Sequence, residues 1–344
     1  MPRLILTGDI NLMGVTDPTI PFARVGPVLT TADLVFANLE CCLYTPQAGH
    51  SPDHEGFFAD PTIGGEVLTR AGIRAVGMAN NVTYGQAAIT ASIARLDSLG
   101  IAHTGAGADR TAARAPACAT CGPIRMGFLQ RSAVYWRTNH EAGENAAGIA
   151  VLRAHTAYQV PEERPLPGYP PMNRPGLPPV VRTWADPATL QLIREDIETA
   201  RARSDFVVLS CHWGLGKEVL SYMTEIAHAA IDAGADLVVG HGPHHFLPVE
   251  LYRGKPILYS LGSFSFHTGH RGIKHGNWIG LMAILDLAPT PTRLGLHFAR
   301  HNDADETILC PTRTEPESVT ELTKASAKLG ASLTEQDGAL WLAL

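Results

Sequence analysis

Apolar residues in this chain fall into two kinds of run. Short unbroken ones cover Leu4–Thr7, Asp33–Ala37, Ile73–Ala79, Ile124–Leu129, Asp205–Leu209, Asp236–Val239, Ile257–Ser260 and Trp278–Leu287. Bounded by Gly, Asn, Asp or Ser, they read as buried strands. Longer runs space their apolar side chains three or four apart: Ile63, Val67 and Leu68 in Pro61–Ala71, Ile89, Ile93, Leu96 and Leu99 in Gln86–Leu99, and Leu190, Ile193, Ile197 and Ala200 in Ala188–Ala202. These read as helices, as does Met223–Ala233; Gly72, Gly100 and Gly234 close three of the four. Strands alternating with helices predict an α/β fold with parallel strands. Beyond about Asp303 the pattern weakens to one amphipathic segment near Val319–Leu329.

The polar residues that follow these strands carry the chemistry. They are Gly8-Asp9-Ile10-Asn11, Asn38-Leu39-Glu40, Asn80-Asn81, His212-Trp213-Gly214 and Gly240-His241-Gly242-Pro243-His244-His245. Open α/β sheets place their sites just past the carboxyl ends of strands. An Asp after Gly also serves as an Asx turn or helix N-cap, so one such residue decides nothing. The series Asp9 with Asn11, Glu40, Asn81, His212, His241 and His244 is harder to explain by turns. Its oxygen and imidazole donors, without thiolates, suit Mn, Fe, Zn or Mg.

Thr7-Gly8-Asp9, Ala37-Asn38-Leu39-Glu40, Ala79-Asn80-Asn81, Ser210-Cys211-His212-Trp213-Gly214, Gly240-His241-Gly242-Pro243-His244 and Tyr259-Ser260-Leu261-Gly262-Ser263-Phe264 resemble, in order, the motifs of the CapA (poly-γ-glutamate capsule synthesis) family. The resemblance covers roughly residues 3 to 266. That family is similar to the calcineurin-like metallophosphoesterases. The resemblance therefore implies a four-layer α/β/β/α sandwich with two divalent metals at strand C-terminal ends. It implies that Asp9 and His244, with Asn11 assisting, bind one ion, that Glu40 bridges, and that Asn81, His212 and His241 bind the second. Two ions about 3.5–4 Å apart activate a hydroxide and polarise the substrate together.

Three departures from the family pattern shape the functional reading. Asn81 is followed by Val82-Thr83-Tyr84-Gly85, without the family's His and Asp. The acid that the family places close behind His-Trp-Gly appears only at Glu218, and the Asn before the last Phe is Ser263. The proton donor is then sought elsewhere. His245 is preferred because it adjoins His244 and an imidazole titrates near neutrality; His267, His270 and His275 are the other candidates. His212 and Glu218 complete the catalytic set. Lys255 and Arg271 are candidates to anchor an anionic substrate. Trp213 is expected either in the wall of the site or in the core, and Cys41 and Cys42 pack behind Glu40.

The leading expectation is a soluble two-metal hydrolase that cleaves an amide-type bond (γ-glutamyl, peptide or lactam-like) in a small molecule or peptide. A metallophosphoesterase with an atypical acid and a non-catalytic accessory protein of poly-γ-glutamate synthesis are the alternatives. Composition trims this picture. The chain has 344 residues, 45% of them apolar, and a net charge of −6, which argues against a general nucleic-acid binder. No apolar run reaches about 18 residues, so no membrane span is expected, and the first residues do not read as a signal peptide. Six cysteines include one lone Cys118-x-x-Cys121 pair, read as reduced and structural in a cytoplasmic protein. Residues 1–302 are expected to form one domain, with an irregular proline-rich excursion over about 138–186, for which a lid is one role, and with 303–344 packed on it as an extension.

Overall fold

Leu4, Ile5 and Leu6 are all fully buried because the strand that carries them, Arg3–Asn11, is covered on both faces. In this computed structural model, which describes residues 1–46, 56–161, 167–168, 170, 172, 175–266, 268–269, 273–274, 276–287 and 291–344, that strand lies in the middle of a ten-stranded sheet. It pairs in parallel with Leu34–Leu39, which pairs in parallel with Ile73–Gly77, and that with Ala102–Thr104. On its other side Gly280–Leu287 and then Pro291–His301 run antiparallel. A second, six-stranded sheet has four parallel strands, Ile124–Ser132, Phe206–His212, Leu237–His241 and Lys255–Leu258, flanked by Ala117–Cys121 and Val249–Tyr252. The described residues form seven α-helices. Among them no helix is long and apolar enough to cross a membrane.

Strand alternation sorts the apolar side chains into three groups. Leu4, Leu6 and Phe36 of the larger sheet pack with Phe128, Val208 and Val239 of the smaller. The Phe36 and Phe128 rings stack at 4.5 Å across that contact. Ile5, Val35 and Val76 face the other way, onto Leu68, Ile89 and Leu96 of helices Pro61–Arg70 and Gln86–Ser98. Val207, Leu209 and Val238 likewise meet Ile193, Ile197 and Ile226 of helices Pro187–Arg201 and Ser221–Asp232. Two of these helices have side-chain caps at their starts. Asp60 and Asp186 each accept two backbone N–H bonds, with Pro61 and Pro187 in the first turn.

Strand ends differ from the pattern-based reading. The first strand does not stop at Thr7 but runs on to Asn11, so Asp9 lies within it, and His212 and His241 are the last residues of their strands rather than loop residues. Polarity at those positions marks the site, not the end of pairing.

The proline-rich stretch is not wholly irregular. Ala154–Gln159 and Val180–Ala185 form an antiparallel ribbon, tied to helix Ser221–Asp232 where Glu225 accepts the Ala185 N–H at 2.7 Å. The C-terminal residues do more than pack on the domain: Thr307–Cys310, Thr334–Gln336 and Ala339–Ala343 all enter the larger sheet.

Candidate metal centre

Asp9 reaches its place through a close approach of two backbones. A Cβ on Gly8 would lie 2.0 Å from the Gly262 carbonyl oxygen, so only glycine lets the strand pass there. Pairing shifts register at this point, and the Asp9 N–H donates to Gly262 C=O at 2.8 Å. Glu40 follows the neighbouring strand and is pinned by its own N–H donating to Ile10 C=O at 2.7 Å. His212 and His241 are register partners on adjacent parallel strands of the smaller sheet. His244 sits three residues further on with φ of +54°, a left-handed conformation that an imidazole-bearing residue adopts at a cost of order 1 kcal/mol.

These five side chains form one string in which imidazoles and carboxylates alternate. His241 Nδ1 lies 3.3 Å from Asp9 Oδ1, and His244 Nδ1 lies 3.3 Å from Asp9 Oδ2. His244 Nε2 is 3.8 Å from Glu40 Oε1, and His212 Nε2 is 3.5 Å from the same oxygen. Ligand atoms of Asp9, Glu40 and His244 all fall within 4.8 Å of one another. Asp9, Glu40, His212 and His241 are buried, while His244 is half-buried.

Two tests bear on whether these residues suit divalent cations. Among the described residues, Asp9 Oδ2, Glu40 Oε2, His212 Nε2 and both ring nitrogens of His241 are buried with no partner in good hydrogen-bond geometry, the imidazole–carboxylate approaches of the string being ion-pair contacts at 3.3–3.8 Å. A buried polar atom left unpaired costs roughly 1–3 kcal/mol, and cations would satisfy all five at once. The charge balance points the same way. Burial opposes ionisation of Asp9, but bonding and charge from His241 and His244 outweigh it and hold its carboxyl well below the usual range. Burial opposes protonation of His244, yet Glu40 and Asp9 overcome it and raise its pKa to about 9. A cluster that gathers a proton between two carboxylates offers the same place to a metal ion.

Support behind the string comes from residues that sequence reasoning did not assign. Asn38 donates to Asp9 Oδ1 at 2.9 Å, and Gln130, reaching across from the smaller sheet, donates to Asn38 Oδ1 at 2.9 Å. Gln130 also accepts the Ala79 N–H at 2.6 Å. Gly77 makes room for it, since a Cβ there would stand 2.3 Å from the Gln130 side chain. Ser132 Oγ lies 3.4 Å from His212 Nδ1. Asn38 belongs to the Ala-Asn-Leu-Glu motif, and Gln130 is a polar residue ending an apolar run; both signals were in the sequence without a partner to give them meaning.

Other expected site residues go elsewhere. Asn11 Oδ1 accepts the Met13 N–H at 2.9 Å and its Nδ2 donates to Thr268 C=O at 2.7 Å, the turn-forming pattern. No hydrogen bond joins the Asn81 side chain to the string among the described residues; its carbonyl accepts from Trp136 Nε1 at 2.9 Å, and the buried amide beside the string is Asn80. Trp213 is fully buried, with its indole N–H donated to Tyr259 C=O at 2.8 Å, so it is core and not a substrate wall. Lys255 opens its strand, and parallel strands put that residue at the sheet edge opposite His241; it donates to Asp236 at 2.8 Å. His245 Nε2 faces Glu321 of the helix Pro316–Ala327 at 3.5 Å, and burial and Lys217 lower its pKa. Glu218 is exposed on a turn. Arg271, His267, His270 and His275 lie outside the described residues. Burial pushes the thiols of Cys41 and Cys42 up to about 12, which fits packing behind Glu40.

The family model described as Bacterial capsule synthesis protein PGA_cap matches residues 3–268. A probable polyglutamine synthesis accessory protein of Mycobacterium tuberculosis is 32% identical over 193 residues, 54% of this chain and 43% of that protein. An uncharacterised protein of Sinorhizobium fredii is 28% identical over 287 residues, 71% of this chain and 61% of its own length. The PGA biosynthesis protein CapA of Bacillus subtilis is 39% identical over 99 residues, 28% of this chain and 24% of that protein. The matches span less than two thirds of each of these relatives.

Proposed function

Because the chain belongs to the bacterial capsule synthesis protein family PGA_cap, we propose that it is a two-metal hydrolase acting on an amide-type bond, γ-glutamyl, peptide or lactam-like, in a small molecule or peptide. The observation that carries this reading is the buried string of five alternating imidazoles and carboxylates with five unpartnered donor atoms. Asp9 and His244 would hold one divalent ion, Glu40 would serve both, and His212 and His241 would hold the other; the expected fourth holder, Asn81, is not hydrogen-bonded to the string among the described residues. Manganese, zinc or iron suits this donor set, with magnesium also accommodated. Such ions would supply Lewis-acid polarisation of a carbonyl and a nucleophile drawn from water at neutral pH.

The chain's own residues then position and insulate. Gln130 fixes Asn38, Asn38 fixes Asp9, and the Ser132 hydroxyl faces the ring nitrogen of His212 turned away from Glu40. The three apolar groups support a four-layer α/β/β/α, metallophosphoesterase-like arrangement with the site at the carboxyl ends of both sheets. Val82, 1% exposed, offers no proton where the family carries His. An amine leaving group needs a proton as much as a poor alkoxide does, so the amide reading rests on the family resemblance, and its proton donor is a group other than Val82. The contact of His245 with Glu321 speaks against it as the donor.

Metal analysis of protein purified without chelator tests this reading. About two transition-metal equivalents per chain are expected, with loss in His241→Ala and in Asp9→Ala. Protein that stays metal-free under every loading condition refutes it. A second reading, a non-catalytic accessory component of poly-γ-glutamate synthesis, is favoured by two names together, the probable polyglutamine synthesis accessory protein of Mycobacterium tuberculosis and the PGA biosynthesis protein CapA of Bacillus subtilis. Metal-loaded protein that turns over neither γ-glutamyl amides nor nitrophenyl phosphodiesters, yet binds poly-γ-glutamate, would decide for it.

A further inference from the structure

A cavity of ≈ 340 Å³ lies behind the strand Ile124–Ser132, on the side away from the candidate metal centre. Successive strand residues point to opposite faces. Gln130 and Ser132 face the string of metal-ligand candidates, and Arg131 between them faces helix Pro187–Arg201 and lines this cavity. A volume of this size falls within the range of small-molecule sites.

Its charges do not balance. Arg131 is 3% exposed, and its guanidinium donates to Asp196 at 2.5 Å. Arg114 takes the same carboxylate through two bonds, of 2.7 and 3.2 Å. One carboxylate shared between two guanidinium groups leaves a positive charge uncompensated, in a place where little solvent screens it. Arg153 is matched by Glu141. Arg110 also lines the cavity, is exposed, and has no side-chain partner among the described residues. The lining therefore holds four arginines against two carboxylates, an excess of two positive charges on a chain whose net charge is −6. A neighbouring cavity of ≈ 320 Å³ shares Arg110, Arg114 and Asp196 and adds Arg203. Ile149, Leu152 and Ile193 give the first cavity an apolar wall.

We propose that this groove is a binding site, separate from the strand-end cluster, for a compact dianion: a dicarboxylate or a phosphate monoester with a small apolar body. Forked guanidinium groups suit both oxyanions, and two charges neutralise the excess. The apolar wall takes the body of the ligand. The proposal does not depend on the hydrolase reading, because none of its residues belongs to the metal-ligand string.

Calorimetric titration of the full chain with glutarate and with inorganic phosphate tests it. One saturable site per chain is expected, weakened about tenfold or more by Arg110→Glu and retained in Asp9→Asn, which removes anion capture by bound metal. Tighter binding of glutarate identifies the dicarboxylate, and tighter binding of phosphate identifies the phosphate monoester. No saturable binding of either probe overturns the proposal. So does wild-type affinity in Arg110→Glu, or loss of the site in Asp9→Asn. Arg110→Gln, checked by circular dichroism, replaces Arg110→Glu if charge reversal disturbs folding.

Discussion

Asp9 must carry a negative charge where no water reaches it, and two imidazoles supply the compensation. That arrangement makes the metal-free chain sensitive to pH in a defined direction. The Asp9 pKa is held below its ordinary value, so its contribution is present above about pH 4 and lost as pH falls further. The His244 pKa is raised from 6.5 to about 9, so its contribution is complete below pH 6.5 and lost as pH climbs through about 9. His244 is partly solvated, which reduces the second effect to about 1–2 kcal/mol. Chelator-treated protein should therefore show its unfolding midpoint falling between about pH 6.5 and pH 9. Saturating manganese or zinc should abolish that fall, because the cation replaces the proton. A midpoint that stays level in chelator would mean that His244 does not sit between Asp9 and Glu40. The same residues show what was legible. Asp9, Glu40, His212 and His241 were readable because each is a polar group that closes an apolar run, and His244 because it repeats the imidazole of His241 within the same short loop. Trp213 and His245 adjoin members of the string in sequence but face away from it, Trp213 into the core, the second of its two expected places, and His245 toward Glu321 beyond the left-handed turn at His244.

At the scale of elements, the segment from Ser132 to His140 acts as a latch over the turn Asn80–Thr83. Trp136 donates its indole N–H to Asn81 C=O, its own N–H donates to His140 Nδ1 at 3.0 Å, and His140 Nε2 meets Thr83 C=O at 3.0 Å. His140 is thus bonded through both nitrogens in its neutral form, and burial lowers its pKa to about 4. With the unfolded pKa near 6.5, the unfolded chain binds the extra proton between these values. Stability falls with pH across that window by up to about 3 kcal/mol. His140→Gln keeps an acceptor and a donor but takes no proton. Chemical denaturation of this variant should show a shallower loss of stability between about pH 6.5 and pH 4; an unchanged acid limb would remove His140 from the account. Nothing in the sequence marked this latch, because it joins residues more than fifty positions apart. The ribbon of Ala154–Gln159 with Val180–Ala185 was hidden for a different reason: both strands are largely exposed, so no apolar alternation announces them.

For the whole molecule, the larger sheet is completed only at the end of the chain. Ala339–Ala343 pairs with Pro291–His301, and Leu340 and Leu342 are buried in the core between the sheets. Burial of each such leucine contributes roughly 1.5–3 kcal/mol. Deleting 334–344 would also bare a long sheet edge. The truncated protein should accumulate in the insoluble fraction or melt well below the full chain. If it stayed soluble with an unchanged midpoint, the C-terminal strands would be dispensable decoration. The sequence by itself determined the α/β class, the central parallel strands and five of the groups at their ends, because apolar periodicity and the chemistry of a strand end are local properties. Tertiary structure alone decided how those groups alternate, that Lys255 stands at the far edge, that Gln130 braces the string from the opposite sheet, and that Arg131 opens a second, cationic groove behind it. Those outcomes depend on strand direction, register and the approach of one sheet to the other, which follow from packing the whole chain at once.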